Sequence, residues 1–466
     1  MNTRQSSVTD EPFLSSTGDS DGLGISIYAD ALTEFVTTTN TPMTIGIQGD
    51  WGSGKTSLLN IIEKTLSQSD KYFIVWVNSW EHSLLSSPEE TLMKILQDII
   101  NQVLKADQNS NKFDKLKKYS TALARGALQA GSTFALGIQA SDKLSEAADS
   151  VFGDSNPIRS LRRQFTSAVE EIQTRKTNPV NRIVIFVDDL DRIDPGDAVR
   201  VMELLKNVLT VRGCVFVLAI DYGVVIKGLK EKFGEMTEEN EWEFRAFFDK
   251  LIQLPFRMPI TSYDLEKYVG QLLEGIDFQI SRAAGFHDEL ANVIQYSIGP
   301  NPRAIKRLIN SVSLIRMVIH QTEGTIDMEN IDKALLVSLL CIQVQYPRIE
   351  QLLKLKPNFV EWDKDFVLSV ISTPFVPPDL EEELNVLKHS EDFDEEWEQA
   401  VYRFCHIYPE MRTKATTISR CLSGLQELLQ EGGKDNTLAI TEMLEMIKLT
   451  STGSQLKRAQ HLSQRD

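Results

Sequence analysis

Five short apolar runs punctuate the first 260 residues, with room for a helix between successive runs. Met43–Ile47, Tyr72–Val77, Ile183–Val187, Val215–Ile220 and Leu251–Phe256 each have a strand's length and are rich in β-branched and aromatic side chains. Ile183–Val187 has no polar position, so as a strand it has no face to turn to water and belongs at the centre of a sheet covered on both sides. Alternating strand and helix predicts an α/β fold: a parallel sheet with right-handed crossovers and flanking helices. In such a sheet ligands gather at the carboxyl ends of the strands, where Asn78, Asp188, Asp189 and Asp221 fall. From Thr325 onward the pattern is helical. Val337–Tyr346 reads as a buried helix ended by Pro347, Pro374–Glu396 as a linker or solvated acidic face, and Leu422–Leu449 as a helical hairpin around Gly432-Gly433.

Between the first run and the helix after it lies Gly49-Asp50-Trp51-Gly52-Ser53-Gly54-Lys55-Thr56-Ser57, which fits the phosphate-binding frame G-x-x-x-x-G-K-[ST]. Glycines admit positive φ, so successive backbone N–H groups can face phosphate oxygens. Lys55 brings a point charge, and the Thr56 hydroxyl suits Mg²⁺. A fold of this kind needs a carboxylate at the end of a second buried strand. Asp188 ends Ile183–Val187 and is assigned to the metal, and Asp189 to polarising the attacking water. Asp221 is a candidate to sense the γ-phosphate, and suits a helix cap equally well.

Composition narrows the classes. The net charge of −17 argues against loose adhesion to nucleic acid or anionic membrane. The basic clusters Lys112, Lys115, Lys117, Lys118 and Arg159, Arg162, Arg163 read as solvated helix faces. Cys214, Cys341, Cys405 and Cys421 have no paired spacing, which fits a reducing compartment, the cytoplasm, and no structural zinc. The longest uncharged stretch, Gly126–Ser141, is too short and polar to span a bilayer. Expected boundaries are a disordered arm 1–21, a core 22–260 with a helical insertion at about 104–156, a helical lid 261–325 and a C-terminal helical domain 326–466.

Five segments in order resemble the KAP family of P-loop NTPases: Gly49-Asp-Trp-Gly-Ser-Gly-Lys-Thr56, Trp76-Val-Asn-Ser-Trp80, Asp188-Asp-Leu-Asp-Arg192, Phe248-Asp-Lys-Leu-Ile-Gln-Leu-Pro-Phe256 and Asn301-Pro-Arg-Ala-Ile-Lys-Arg-Leu-Ile-Asn310. The resemblance implies ATP as the nucleotide. In the last segment Arg303, Lys306, Arg307 and Asn310 share one helix face, which suits Arg303 and Arg307 to neutralising triphosphate charge. Many relatives insert pairs of transmembrane helices between the phosphate loop and the strand ending in Asp188, and the corresponding insertion here, about Leu104 to Asn156, is too short and polar for them. Leu422-Ser-Gly-Leu-Gln426 looks like a transporter signature, but its position beyond both phosphate-site motifs excludes that reading.

The resemblance implies an ATPase serving as motor, sensor or scaffold of a bacterial anti-phage system, with protein partners or effectors encoded elsewhere and a homo-oligomeric state. Arg192, acting across a subunit boundary, is a candidate arginine finger. The alternatives are a nucleotide-dependent scaffold with little turnover and, behind it, a nucleic-acid-stimulated translocase.

Overall fold

A computed structural model describes residues 7–12, 21–84, 86–105, 157–176, 178–281, 285–323, 328–370, 380–387 and 393–448. The readings for Gly126–Ser141, the 104–156 insertion beyond Lys105 and the lysine cluster at 112–118 lie outside these residues. The chain divides into two compact units, residues 12–259 and residues 1–11 with 260–466. The segments expected as lid and C-terminal domain therefore belong to the same unit.

In the first unit five parallel strands, β1 (Met43–Gln48), β2 (Tyr72–Asn78), β3 (Arg182–Asp188), β4 (Cys214–Ile220) and β5 (Leu254–Arg257), lie in the order β2-β3-β4-β1-β5. All of β4 and nearly all of β3 are buried, whereas the edge strands β2 and β5 keep partly exposed positions. The apolar density of each run thus follows its rank in the sheet. Phe165, Phe216 and Phe244 anchor a core between sheet and helices.

Short side chains end the strands and start the helices. Asn78 caps the helix Ser79–Ser83 and Asp221 caps Tyr222–Phe233, each accepting from two backbone N–H groups. Asp194 does the same for Pro195–Leu204, where Pro195 sits at a position whose N–H needs no helical partner. The packing of that helix admits no side chain at residue 228, where a Cβ would come 2.0 Å from the Pro195 carbonyl oxygen.

The second unit is helical throughout its described residues. Asn330–Gln345 runs through its centre with every residue from Ala334 to Ile342 buried, and Pro347 opens the next helix, Pro347–Leu355. Trp362, Phe359 and Trp397 form a fully buried edge-to-face cluster. The helices Ala415–Gly432 and Asn436–Lys448 flank Gly432-Gly433, where Gly433 takes φ +62°. Within Pro374–Glu396, Leu380–Leu387 is a helix whose Glu381 pairs with Arg403 and Lys364, so that part of the acidic run is tied into the unit. Among the described residues no helix is long and apolar enough to cross a membrane.

Residues 8–11, expected within a free arm, are bound to the helix Pro302–Glu323. The Asn310 side-chain amide accepts from Val8 N–H at 2.7 Å and donates to Val8 C=O at 2.9 Å. Lys306 Nζ donates to the Glu11 carbonyl at 2.8 Å, and Arg303 Nε lies 2.9 Å from Asp10 Oδ2.

Candidate nucleotide-binding site

The loop after β1 takes the shape its glycines allow. Gly52 and Gly54 adopt φ +86° and +97°, and Gly54 precedes the helix Lys55–Ser67. Gly49 is there for space: a Cβ would fall 2.5 Å from Ser53 Oγ and 2.8 Å from Met258 Cγ. Gly49 N–H donates to the Ile220 carbonyl at 3.2 Å, tying the loop to the end of β4. Asp50 and Trp51 are exposed at the loop tip, Ser53 is buried beneath it, and Ser57 lies in the first turn of the helix.

Lys55 turns back into the loop. Its Nζ donates to the carbonyls of Gly49 at 2.8 Å and Asp50 at 3.2 Å, and pairs with Asp191 Oδ2 at 2.9 Å, both side chains being buried. The partner is Asp191, three residues past the end of β3, which the sequence reading did not assign. Its position in Asp188-Asp-Leu-Asp-Arg192, on the 3₁₀ turn Leu190–Arg192 that folds it back toward the loop, is the signal that marks it.

The two residues expected at the metal meet directly. The Thr56 hydroxyl donates to the Asp188 carboxylate, and Asp188 Oδ1 also accepts the Asp189 N–H at 2.8 Å. Burial, with Asp189 beside it, pushes the Asp188 carboxyl up to about 6. Asp189 adopts φ +57° and presents Oδ1 to Arg192 Nε at 2.7 Å and Oδ2 to Asn78 Nδ2 at 3.0 Å. Burial raises its carboxyl also, and Arg192 works against that rise. The expectation of Arg192 as a finger for another subunit meets a cis contact here.

Among the described residues no group of three or more His, Cys, Asp or Glu is arranged to hold a metal ion alone. The donor set fits Mg²⁺ nonetheless, because that ion takes one or two protein oxygens and completes its shell with phosphate and water. Thr56 and Asp188, already in contact, are the residues that would supply them. The glycine loop, with Lys55 at its centre, matches a polyphosphate.

The remaining expected residues sit elsewhere. The Asp221 carboxylate accepts from Gly223 and Val224 N–H groups, so its visible work is capping. Arg303 and Arg307 lie on the helix Pro302–Glu323 in the second unit, where Arg303 faces Asp10.

The KAP family P-loop domain matches residues 25–319, well over half of the chain. The chain belongs to the KAP family. A curated relative of this KAP protein, the phage T7 exclusion protein of Escherichia coli (strain K12), is 25% identical over 288 residues. That alignment spans 58% of this chain and 38% of the relative. The phosphate loop, Asn78, the Asp188–Arg192 string and the Asn301–Asn310 segment of this KAP protein all lie within the matched residues.

Proposed function

We propose that this KAP protein binds ATP with Mg²⁺, hydrolyses it, and uses nucleotide state to drive assembly or signalling in a multiprotein defence against phage. The observation that carries the reading is the convergence of Lys55 and Thr56, from the end of one strand, with Asp188, Asp189 and Asp191 from the end of another. The defence role rests on family membership and on the phage exclusion activity named for its relative. Cytoplasmic location, oligomerisation and protein partners belong to the same proposal.

Each residue has a step. Lys55 exchanges Asp191 for phosphate oxygens when the loop fills. Thr56 and Asp188 would hold Mg²⁺ through their side-chain oxygens, and the ion would supply charge neutralisation to the triphosphate. Asp189 orients a water and accepts its proton.

The pairing of Asp189 with Arg192 favours a second reading, a scaffold that holds ATP with little turnover. Phosphate release and light scattering with MgATP, on wild type and Asp189→Asn, separate the two. Turnover in wild type that Asp189→Asn loses while retaining ATP-driven assembly supports the ATPase. Bound ATP and an oligomer without turnover in either protein supports the scaffold.

A further inference from the structure

We propose that Arg192, perched on Trp80, restrains hydrolysis by keeping the Asp189 carboxylate in a resting pair until turnover. The proposal rests on the reading that Asp189 orients the attacking water.

Four side chains close a circuit at the ends of β2 and β3. Asp189 gives one oxygen to Arg192 and the other to Asn78, at 2.7 and 3.0 Å. Asn78 turns its own carbonyl oxygen to the N–H groups of Trp80 and Glu81, at 3.0 and 3.2 Å, which fixes the helix Ser79–Ser83. The Trp80 ring returns to Arg192, whose guanidinium carbon lies 5.2 Å from the ring centroid. Trp80 therefore reaches Asp189 by two routes, its backbone through Asn78 and its ring through Arg192.

The two restraints on Asp189 differ in kind. Asn78 is neutral, anchored at both ends, and aligned with Asp188 across the β2–β3 ladder. Arg192 is charged, its side chain is 32% exposed, and it sits on a three-residue 3₁₀ turn. Arg192 is the half that can swing away. While it stays, the charge that would polarise a water is neutralised by a guanidinium at charge-assisted hydrogen-bond distance. Trp80, 39% exposed, lends its face to the cation and makes the paired position the preferred one. Asn78 keeps the carboxylate aimed after Arg192 departs.

The test is steady-state phosphate release with MgATP on the full chain, with nucleotide affinity and thermal melting measured on every variant as a check of folding. Arg192→Ala should raise kcat about ten-fold, the kinetic equivalent of releasing one charge-assisted hydrogen bond, and leave KM unchanged. Arg192→Lys, which retains the charge, should return kcat toward wild type. Trp80→Ala should raise kcat by a smaller factor, Trp80→Phe should restore it, and Arg192→Ala/Trp80→Ala should match Arg192→Ala alone, because both act through one contact. A fall in kcat for Arg192→Ala would overturn the proposal and place Arg192 in the reaction itself. Additive effects of the two substitutions, or ATP binding without turnover in both wild type and Arg192→Ala, would overturn it also. Turnover persisting in Asp189→Asn would instead remove the underlying role of Asp189. Loss of turnover in Asp189→Asn beside an unchanged kcat in Arg192→Ala would sink only the inference about Arg192.

Discussion

At the scale of single residues, the phosphate loop carries its own stand-in for the anion it is built to hold. Lys55 is 7% exposed and its charge is balanced by Asp191 and two carbonyls. Removing Asp191 leaves a buried ammonium short of its counter-charge. Asp191→Asn should therefore cost the empty protein about 3–5 kcal/mol and lower its melting temperature. The same change should enlarge the rise in melting temperature that MgATP produces, since phosphate then supplies the missing charge. Differential scanning fluorimetry with and without nucleotide reads both effects. Gly49→Ala makes the complementary case: its Cβ lands inside Ser53 Oγ and Met258 Cγ, so the loop must shift. Nucleotide affinity should fall roughly ten-fold, about 1.4 kcal/mol, with little loss of melting temperature. Most of this site was legible in the sequence, because glycine, lysine and threonine at fixed spacing have few other physical uses. Asp191 was not, since only the 3₁₀ turn after β3 brings it back to Lys55.

At the scale of elements, hydrophobic runs located the five strands but could not order them. A run such as Val215–Ile220 says that a strand is covered on both faces. It does not say that β4 lies between β1 and β3. Helix starts were more legible. Asp221 by its place suits a γ-phosphate sensor and a cap equally, and its carboxylate does cap Tyr222–Phe233. In the second unit the helix Glu396–Ile407 begins with a capping box that buries Glu398, whose Oε2 accepts the Glu395 N–H at 3.0 Å. Burial, with Asp394 and Glu395 beside it, lifts the Glu398 carboxyl from its ordinary 4.5 to about 7. A raised carboxyl favours the folded state in its protonated form. That contribution is complete below pH 4.5 and is lost as pH rises through about 7. Glu398→Gln keeps the acceptor and never ionises. Its melting temperature should exceed that of wild type at pH 8, and the gap should close as pH approaches 4.5. Thermal melts across that range by circular dichroism check the sign.

At the scale of the whole molecule, the part hardest to read from sequence is the segment 8–11. Three of its four residues are polar and the segment lacks periodicity, so local propensity gives no reason for it to be ordered. Their partners are more than 290 residues away, and no local pattern encodes contacts of that range. Asn310→Ala removes both hydrogen bonds to Val8 and should leave the Val8 amide unprotected in hydrogen exchange, while amides in the centre of Asn330–Gln345 remain slow. The match over residues 25–319 describes the chain as a family member; the bound segment describes its order of assembly. Val8 leaves the ribosome well before its partner, and Asn310 follows 302 positions later. At common rates of synthesis that interval is roughly 15–60 s. All of β1 to β5 emerges in between. The segment 8–11 thus waits for a helix made later, and its docking dates from after residue 259, the last of the nucleotide unit, has been made.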